Sequence, residues 1–230
     1  GMDGPTNLFE GQKGWKQVVS GDFEVNLDPG CGHVFDTMTK RYVAKTYAQS
    51  AVEGIIEIAV ETDLDPDDVE AIHLETFHGA KLIIGGGEGS RYEVETKAQA
   101  DHSLPYMLAA ALVDREMTSR QYDPDRIQRG DVQRLLRVVD VEESEALTDR
   151  FESGEMPAVL QVVLDDGTTF EIEKDAFQGH PTQPMDWRQI ERKYERLAAT
   201  RYNDDRVQDV EAVVERLHDH DVGDLVSLLD

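Results

Sequence analysis

Apolar positions recur along the chain with two different periods, and each change of period marks an element. Ala48, Ala51, Val52, Ile55, Ile56, Ala59 and Val60 return at intervals of three and four, which predicts an amphipathic helix of about four turns. The run DLDPDD at 63–68 ends it. Residues 69–77 and 80–84 alternate or are rich in branched side chains, predicting two strands, the second closed by GGGEG at 85–89. Residues 103–114 predict a helix, with Ser103 at its N-cap and Pro105 in the first turn, where a missing N–H costs nothing. Met107 to Val113 are apolar on every side, so this helix should be buried all round.

Further on, RLLRVVDVE (134–142) reads as a helix end running into a strand, and EESEALTDRF (142–151) as a polar-faced helix. AVLQVVLDDGTTFEIEK (158–174) predicts a hairpin turning at Asp166-Gly167. After GHPTQP (179–184) the pattern is helical to the end. Asp186 and Gln189 form a capping box, and Trp187, Ile190, Tyr194 and Leu197 line one face of the first helix. Val207, Val210, Val213, Val214 and Leu217 line the second. Residues 3–35 are punctuated by glycine and predict no element. Strands and helices are mixed without a regular βαβ alternation, so the expected class is α+β, a mixed or antiparallel sheet with packed helices.

Charge narrows the partners. The 230 residues carry 48 acids against 23 lysines and arginines, a formal net charge of -25. Such a surface repels nucleic acid and anionic membrane. With 39% apolar residues in clear periods the chain can still bury a core. An evenly acidic coat fits a high-salt cytoplasm, where self-repulsion is screened. Cys31 is alone, so no disulfide forms within the chain and a reducing compartment suits it. No signal peptide opens the sequence and no apolar run approaches the ~20 residues of a spanning helix. The expected location is therefore cytoplasmic, and Gly1-Met2 reads as a cloning scar before a natural chain that begins earlier.

Several motifs have ordinary readings. GGGEGS lacks the spacing of a phosphate loop and precedes no apolar helix, so a turn is expected. His218 and His220 point apart at an acidic helix end, and no metal site is expected there or elsewhere. Cys31 and His33 lack a third orienting group, which favours a small buried thiol over a nucleophile. Lys40 and Lys45 precede the first helix, where positive charge opposes the dipole; they are either surface lysines or an anion site for a carboxylate. Asp101, His102, Ser103 and Tyr106 gather within one turn of a buried helix start, where free N–H groups favour a bound carboxylate. The alternative is a cap at Ser103 with satisfied core polar groups around it.

KRYVAKTYAQSAVEGI, QADHSLPYMLAAALVD and DDGTTFEIEKDAFQGHPTQPMDWRQIERKYERLA together resemble the C-terminal half of the MmgE/PrpD family, and the opening GPTNLFEGQKG resembles its GP...EG..G segment. The family includes 2-methylcitrate dehydratase and cis-aconitate decarboxylase. The resemblance implies an α+β lid over residues 36–183, with 1–35 and the helices of 184–230 belonging to a helical domain whose remaining half lies elsewhere, in cis or in trans. It implies a cofactor-independent lyase that eliminates water from a citrate-like tricarboxylic acid in propionate catabolism, inactive without that half, and a homodimer. Lys40 matches the family lysine, Tyr106 the tyrosine and His102 the histidine of its motifs; Tyr106 and His102 are the expected catalytic residues, with Lys40, Lys45 and Ser103 binding substrate. Lys45 stands where the decarboxylases carry histidine and Val43 where the family has proline, which favours dehydration. The alternatives are a stand-alone carboxylate- or protein-binding module, a dicarboxylate isomerase or epimerase, and cis-aconitate decarboxylase itself.

Overall fold

The computed structural model describes residues 8–11, 14–22, 32–34, 36–86 and 91–229. Cys31, the His33 side chain and residues 87–90 of the glycine-rich run lie outside the described residues. The chain divides into two units, residues 1–36 and 37–230. In the first, a π-type turn covers Lys16–Ser20, and the Trp15 and Lys16 N–H groups donate to the carbonyls of Leu8 and Phe9.

The second unit has mixed helix and sheet, the α+β class. Helix α1 (Gln49–Glu61) leads to strand β1 (Val69–Thr76) and the short helix α2 (His78–Ile83). Helices α3 (Lys97–Ala100) and α4 (Leu104–Asp114) follow, then α5 (Pro124–Ile127) and α6 (Gly130–Leu135). Strand β2 (Val139–Glu143), helix α7 (Glu145–Glu152), and the hairpin of β3 (Ala158–Leu164) and β4 (Thr169–Lys174) complete the sheet. Helices α8 (Trp187–Ala198), α9 (Asp204–Glu215) and α10 (Val222–Leu229) end the unit. The strand order is β2-β1-β3-β4, with β1 parallel to β2 and antiparallel to β3.

One expected element is different. Residues 80–84 do not form a strand: His78–Ile83 is helical. Phe77, Ala80 and Ile84 are the buried positions of this stretch, spaced three and four apart, and Lys81 Nζ donates to the Val141 carbonyl at 2.6 Å. A short apolar run carries too few residues to separate the two periods, so packing decides.

The core lies where α1 and α4 cover one face of the sheet. Helix α4 is buried from Leu104 to Leu112. Ser103 caps it, accepting the Tyr106 N–H at 3.1 Å, with Pro105 in the first turn. Gly54 lets α1 lie close on the hairpin, since a Cβ there would stand 2.9 Å from Leu160 Cδ1. Among the described residues no helix is long and apolar enough to cross a membrane.

Candidate functional site

The segment 39–45 has no regular structure of its own, so its position is set by the side chains and backbone groups that grip it. Gln49, buried at the start of α1, accepts the Tyr42 N–H at 3.0 Å and donates to the carbonyls of Tyr42 and Ala44 at 3.1 and 3.2 Å. The Val43 N–H donates to Met117 at 3.1 Å, and the Val43 carbonyl accepts the Tyr122 hydroxyl at 2.7 Å. At the front of the segment Thr39 N–H donates to the Gly179 carbonyl at 2.7 Å, and Lys193 Nζ donates to the Lys40 carbonyl. This bracing pairs backbone groups of an irregular stretch that no helix or strand ladder would pair.

A cavity of about 210 Å³ opens beside it, lined by Lys40, Lys45, Lys97, Asp101, His102 and Tyr122. Lys40 Nζ donates to the Ala44 carbonyl at 3.1 Å. A lysine ammonium carries three donors, so two more remain for a ligand. Lys97 lies on α3, whose Thr96–Gln99 capping box fixes its first turn. From there Lys97 Nζ reaches Asp101 Oδ2 at 2.8 Å and stands 5.3 Å from the centre of the Tyr122 ring.

Asp101 and His102 work as a pair. Burial alone would raise the Asp101 pKa, but hydrogen bonds from Lys97 and His102 outweigh it and hold the carboxyl below its usual range. His102 Nδ1 lies 2.7 Å from Asp101 Oδ1 and 3.2 Å from the Ala98 carbonyl. Both partners are acceptors, so the proton sits on Nδ1 and Nε2 is the basic nitrogen.

Of the five residues expected at the site, the structure brings Lys40, Lys45 and His102 to one cavity. Tyr106 and Ser103 stand behind it. Because α4 is buried on every side, the Tyr106 side chain turns into the core, where its hydroxyl donates to the Gln121 carbonyl. Burial pushes its pKa up to about 12. Ser103 is likewise buried, its hydroxyl donating to the Arg91 carbonyl at 2.5 Å. The phenol at the cavity wall is Tyr122, its ring centre 6.3 Å from that of Tyr106, and desolvation raises its pKa as well.

Lys97 and Tyr122 were not singled out in the sequence. The Lys97–Asp101 spacing of four was a usable signal. Tyr122 sits at the end of a 3-10 turn, Ser119–Tyr122, with no period to draw attention to it. Among the described residues no three His, Cys, Asp or Glu side chains gather as a metal site.

Three ammonium groups around a shallow cavity can hold carboxylates as point charges, and the oriented imidazole beside them can accept a proton. Residues 42–219 match the family described as MmgE/PrpD C-terminal domain. The chain is also similar to cis-aconitate decarboxylase of Mus musculus, 29% identical over 136 residues, and of Homo sapiens, 30% identical over 132 residues. These alignments cover 59% and 57% of this chain but 28% and 27% of the relatives, so the matched part spans little more than a quarter of their length. Because the family match runs from the braced segment to beyond α9, well over half of the chain, the protein belongs to the MmgE/PrpD family.

Proposed function

We propose that this chain is the C-terminal, lid-bearing part of a lyase acting on a small tricarboxylic acid of the citrate and aconitate kind. The observation that carries the reading is the convergence of Lys40, Lys45, Lys97 and His102 on one cavity in a chain of net charge -25. Lysines gathered against so acidic a background concentrate an anionic substrate. In this reading Lys40, Lys45 and Lys97 hold carboxylates, and His102, oriented by Asp101, receives the proton lost from the carbon alpha to a carboxylate. Tyr122 forms part of the wall, and Tyr106 packs behind it.

Loss of water from a 2-methylcitrate-like acid is the first reading, because Lys45 stands where the family's decarboxylases carry histidine. Such an elimination also needs an acid to protonate the departing hydroxyl, and the helical half of the family is the source assigned to it here. Decarboxylation of cis-aconitate is the second reading, favoured by the similarity to two cis-aconitate decarboxylases.

The helices after residue 186 support a partner half. Trp187, Ile190 and Leu197 of α8, Val214 of α9, and Val222 and Val226 of α10 are exposed large apolar side chains on successive helices. Trp187, Ile190 and Val214 line one apolar groove between α8 and α9, and an exposed apolar surface of this kind is characteristic of an interface. We assign it to the helical half, joined in the same chain or associated with it, and include a homodimer and a high-salt cytoplasm in the same proposal.

The test has two stages. The 230-residue protein should bind citrate or 2-methylcitrate, and Lys45→Ala with Lys97→Ala should weaken binding about tenfold, yet the protein alone should turn over neither 2-methylcitrate nor cis-aconitate. Joined to a helical half it should release water or carbon dioxide, and proton NMR of the product distinguishes the two readings. Turnover by the 230-residue protein alone, or tricarboxylate binding indifferent to the lysine variants, refutes the proposal.

A further inference from the structure

A second cationic cavity lies on the other side of the braced segment. It has a volume of about 190 Å³ and is lined by Arg41, Arg115, Arg192, Lys193 and Arg196, with Glu116 as the acid among its lining residues. Ile56, Met117, Met185 and Leu197 give the lining an apolar part. Val43 lines both this cavity and the lysine cavity, yet the two share no cation.

Along α8, Arg188, Arg192 and Arg196 recur four apart, while Arg188 and Arg192 each have a glutamate three residues on. The spacing of four puts Arg192 and Arg196 on one side of α8, where both line the cavity in a chain with about twice as many acids as bases. Arg115 is held by Asp63 at 2.6 Å, and Arg41 is tethered to buried Glu53 at 3.4 Å. Among the described residues Arg192 and Arg196 have no ion pair and no side-chain hydrogen bond, which leaves both guanidinium forks open. Lys193, next to Arg192 on α8, is already engaged with the Lys40 carbonyl.

Guanidinium groups bind oxyanions through paired parallel N–H donors, a geometry that ammonium groups do not offer. We propose that this cavity is a second anion site, distinct from the lysine cavity, which takes a small oxyanion group of two or more negative charges, phosphoryl or polycarboxylate. Arg192 and Arg196 grip it, and the apolar lining residues accommodate the body of the molecule that carries it. Since it lies behind Val43 and beside Lys193, an occupant sits against the segment that presents Lys40 and Lys45.

The inference is independent of which reaction the lysine cavity serves, and its test uses different residues. Pyrophosphate, titrated calorimetrically into the 230-residue protein at low salt, should bind, and Arg192→Gln with Arg196→Gln should weaken it about tenfold or more. The Lys45→Ala, Lys97→Ala protein should keep the arginine-dependent part of the pyrophosphate binding. Both arginines are exposed, so the fold should survive, and an unchanged melting temperature verifies this. Amide shifts on adding pyrophosphate should cluster at residues 41–43, 115–118 and 189–197. A parallel titration with citrate distinguishes the sources: an arginine-dependent citrate signal assigns the site to carboxylates as well, and its absence assigns it to phosphoryl groups. No pyrophosphate binding, binding unaffected by the arginine variant, or binding lost in the lysine variant overturns the proposal.

Discussion

The Tyr122 hydroxyl donates to the Val43 carbonyl at 2.7 Å, and this bond ties the buried layer around α4 to the segment that carries Lys40 and Lys45. Tyr122 is almost fully buried, and its bond to that carbonyl is part-buried at the cavity wall. Tyr122→Phe should therefore cost about 1 to 2 kcal/mol, the penalty for leaving one part-buried acceptor without that donor. Urea unfolding measures it. Because the bond positions the lysine segment, the same variant should weaken citrate binding more than a surface control such as Tyr202→Phe.

Gly179 fixes the other end of that segment. It has φ +115°, a conformation side chains rarely adopt, and a Cβ there would stand 1.9 Å from the Thr39 carbonyl oxygen. The obstacle is backbone, so it cannot rotate away. Gly179→Ala should destabilise the protein by at least about 2 kcal/mol, combining strain with displacement of Thr39. It should also move the amide resonances of residues 39–45, whereas Gly154→Ala, strained at φ +102° but in open space, should leave them in place.

Glu53 is buried in α1 and depends on its cationic neighbours. Lys174 Nζ lies 3.1 Å from Glu53 and 2.9 Å from Glu57, and Arg41 approaches Glu53 at 3.4 Å. The Gln178 N–H adds a donor at 3.1 Å. Burial alone would lower the Lys174 pKa, but the hydrogen bonds and charges of Glu57 and Glu53 outweigh it and raise it. A raised lysine pKa contributes stability in full below the unfolded value and loses it as pH rises through the folded one, so this contribution should fade only at strongly alkaline pH. Lys174→Met should cost about 3 kcal/mol at neutral pH, because it leaves a buried carboxylate short of charge. Adding Glu53→Gln should recover part of that loss in a double-mutant cycle.

Elements whose signals are local were legible in the sequence. Ser103 and Pro105 opened α4, Asp186 and Gln189 capped α8, and Asp166-Gly167 turned the hairpin. Each rests on chemistry within four residues, so tertiary packing had nothing to override. Residues 80–84 are too few to separate the two periods, and contacts with β2 and α7 go with the helix found over His78–Ile83. At the site, the motif containing His102 was visible, but the direction of Tyr106 was not. A helix buried all round gives no sequence sign of which side faces a cavity, and Tyr122 reaches the wall through a fold contact 79 residues away in sequence.

Asp101 should leave its mark in acid. Hydrogen bonds from Lys97 and His102 hold its folded pKa below the unfolded value of about 3.9. A depressed carboxylate contributes stability that is complete above the unfolded pKa and disappears as pH falls through the folded one. The stability difference between the parent and Asp101→Asn should therefore be constant from neutral pH down to about pH 5 and shrink toward zero below about pH 4. Urea unfolding across that range measures it. Lys97→Met removes the first donor and should move the shrinkage to higher pH, since the carboxyl then keeps only His102. A difference that persists undiminished at the lowest pH would mean that the asparagine acts through packing, and that Asp101 does not supply the charge that orients His102.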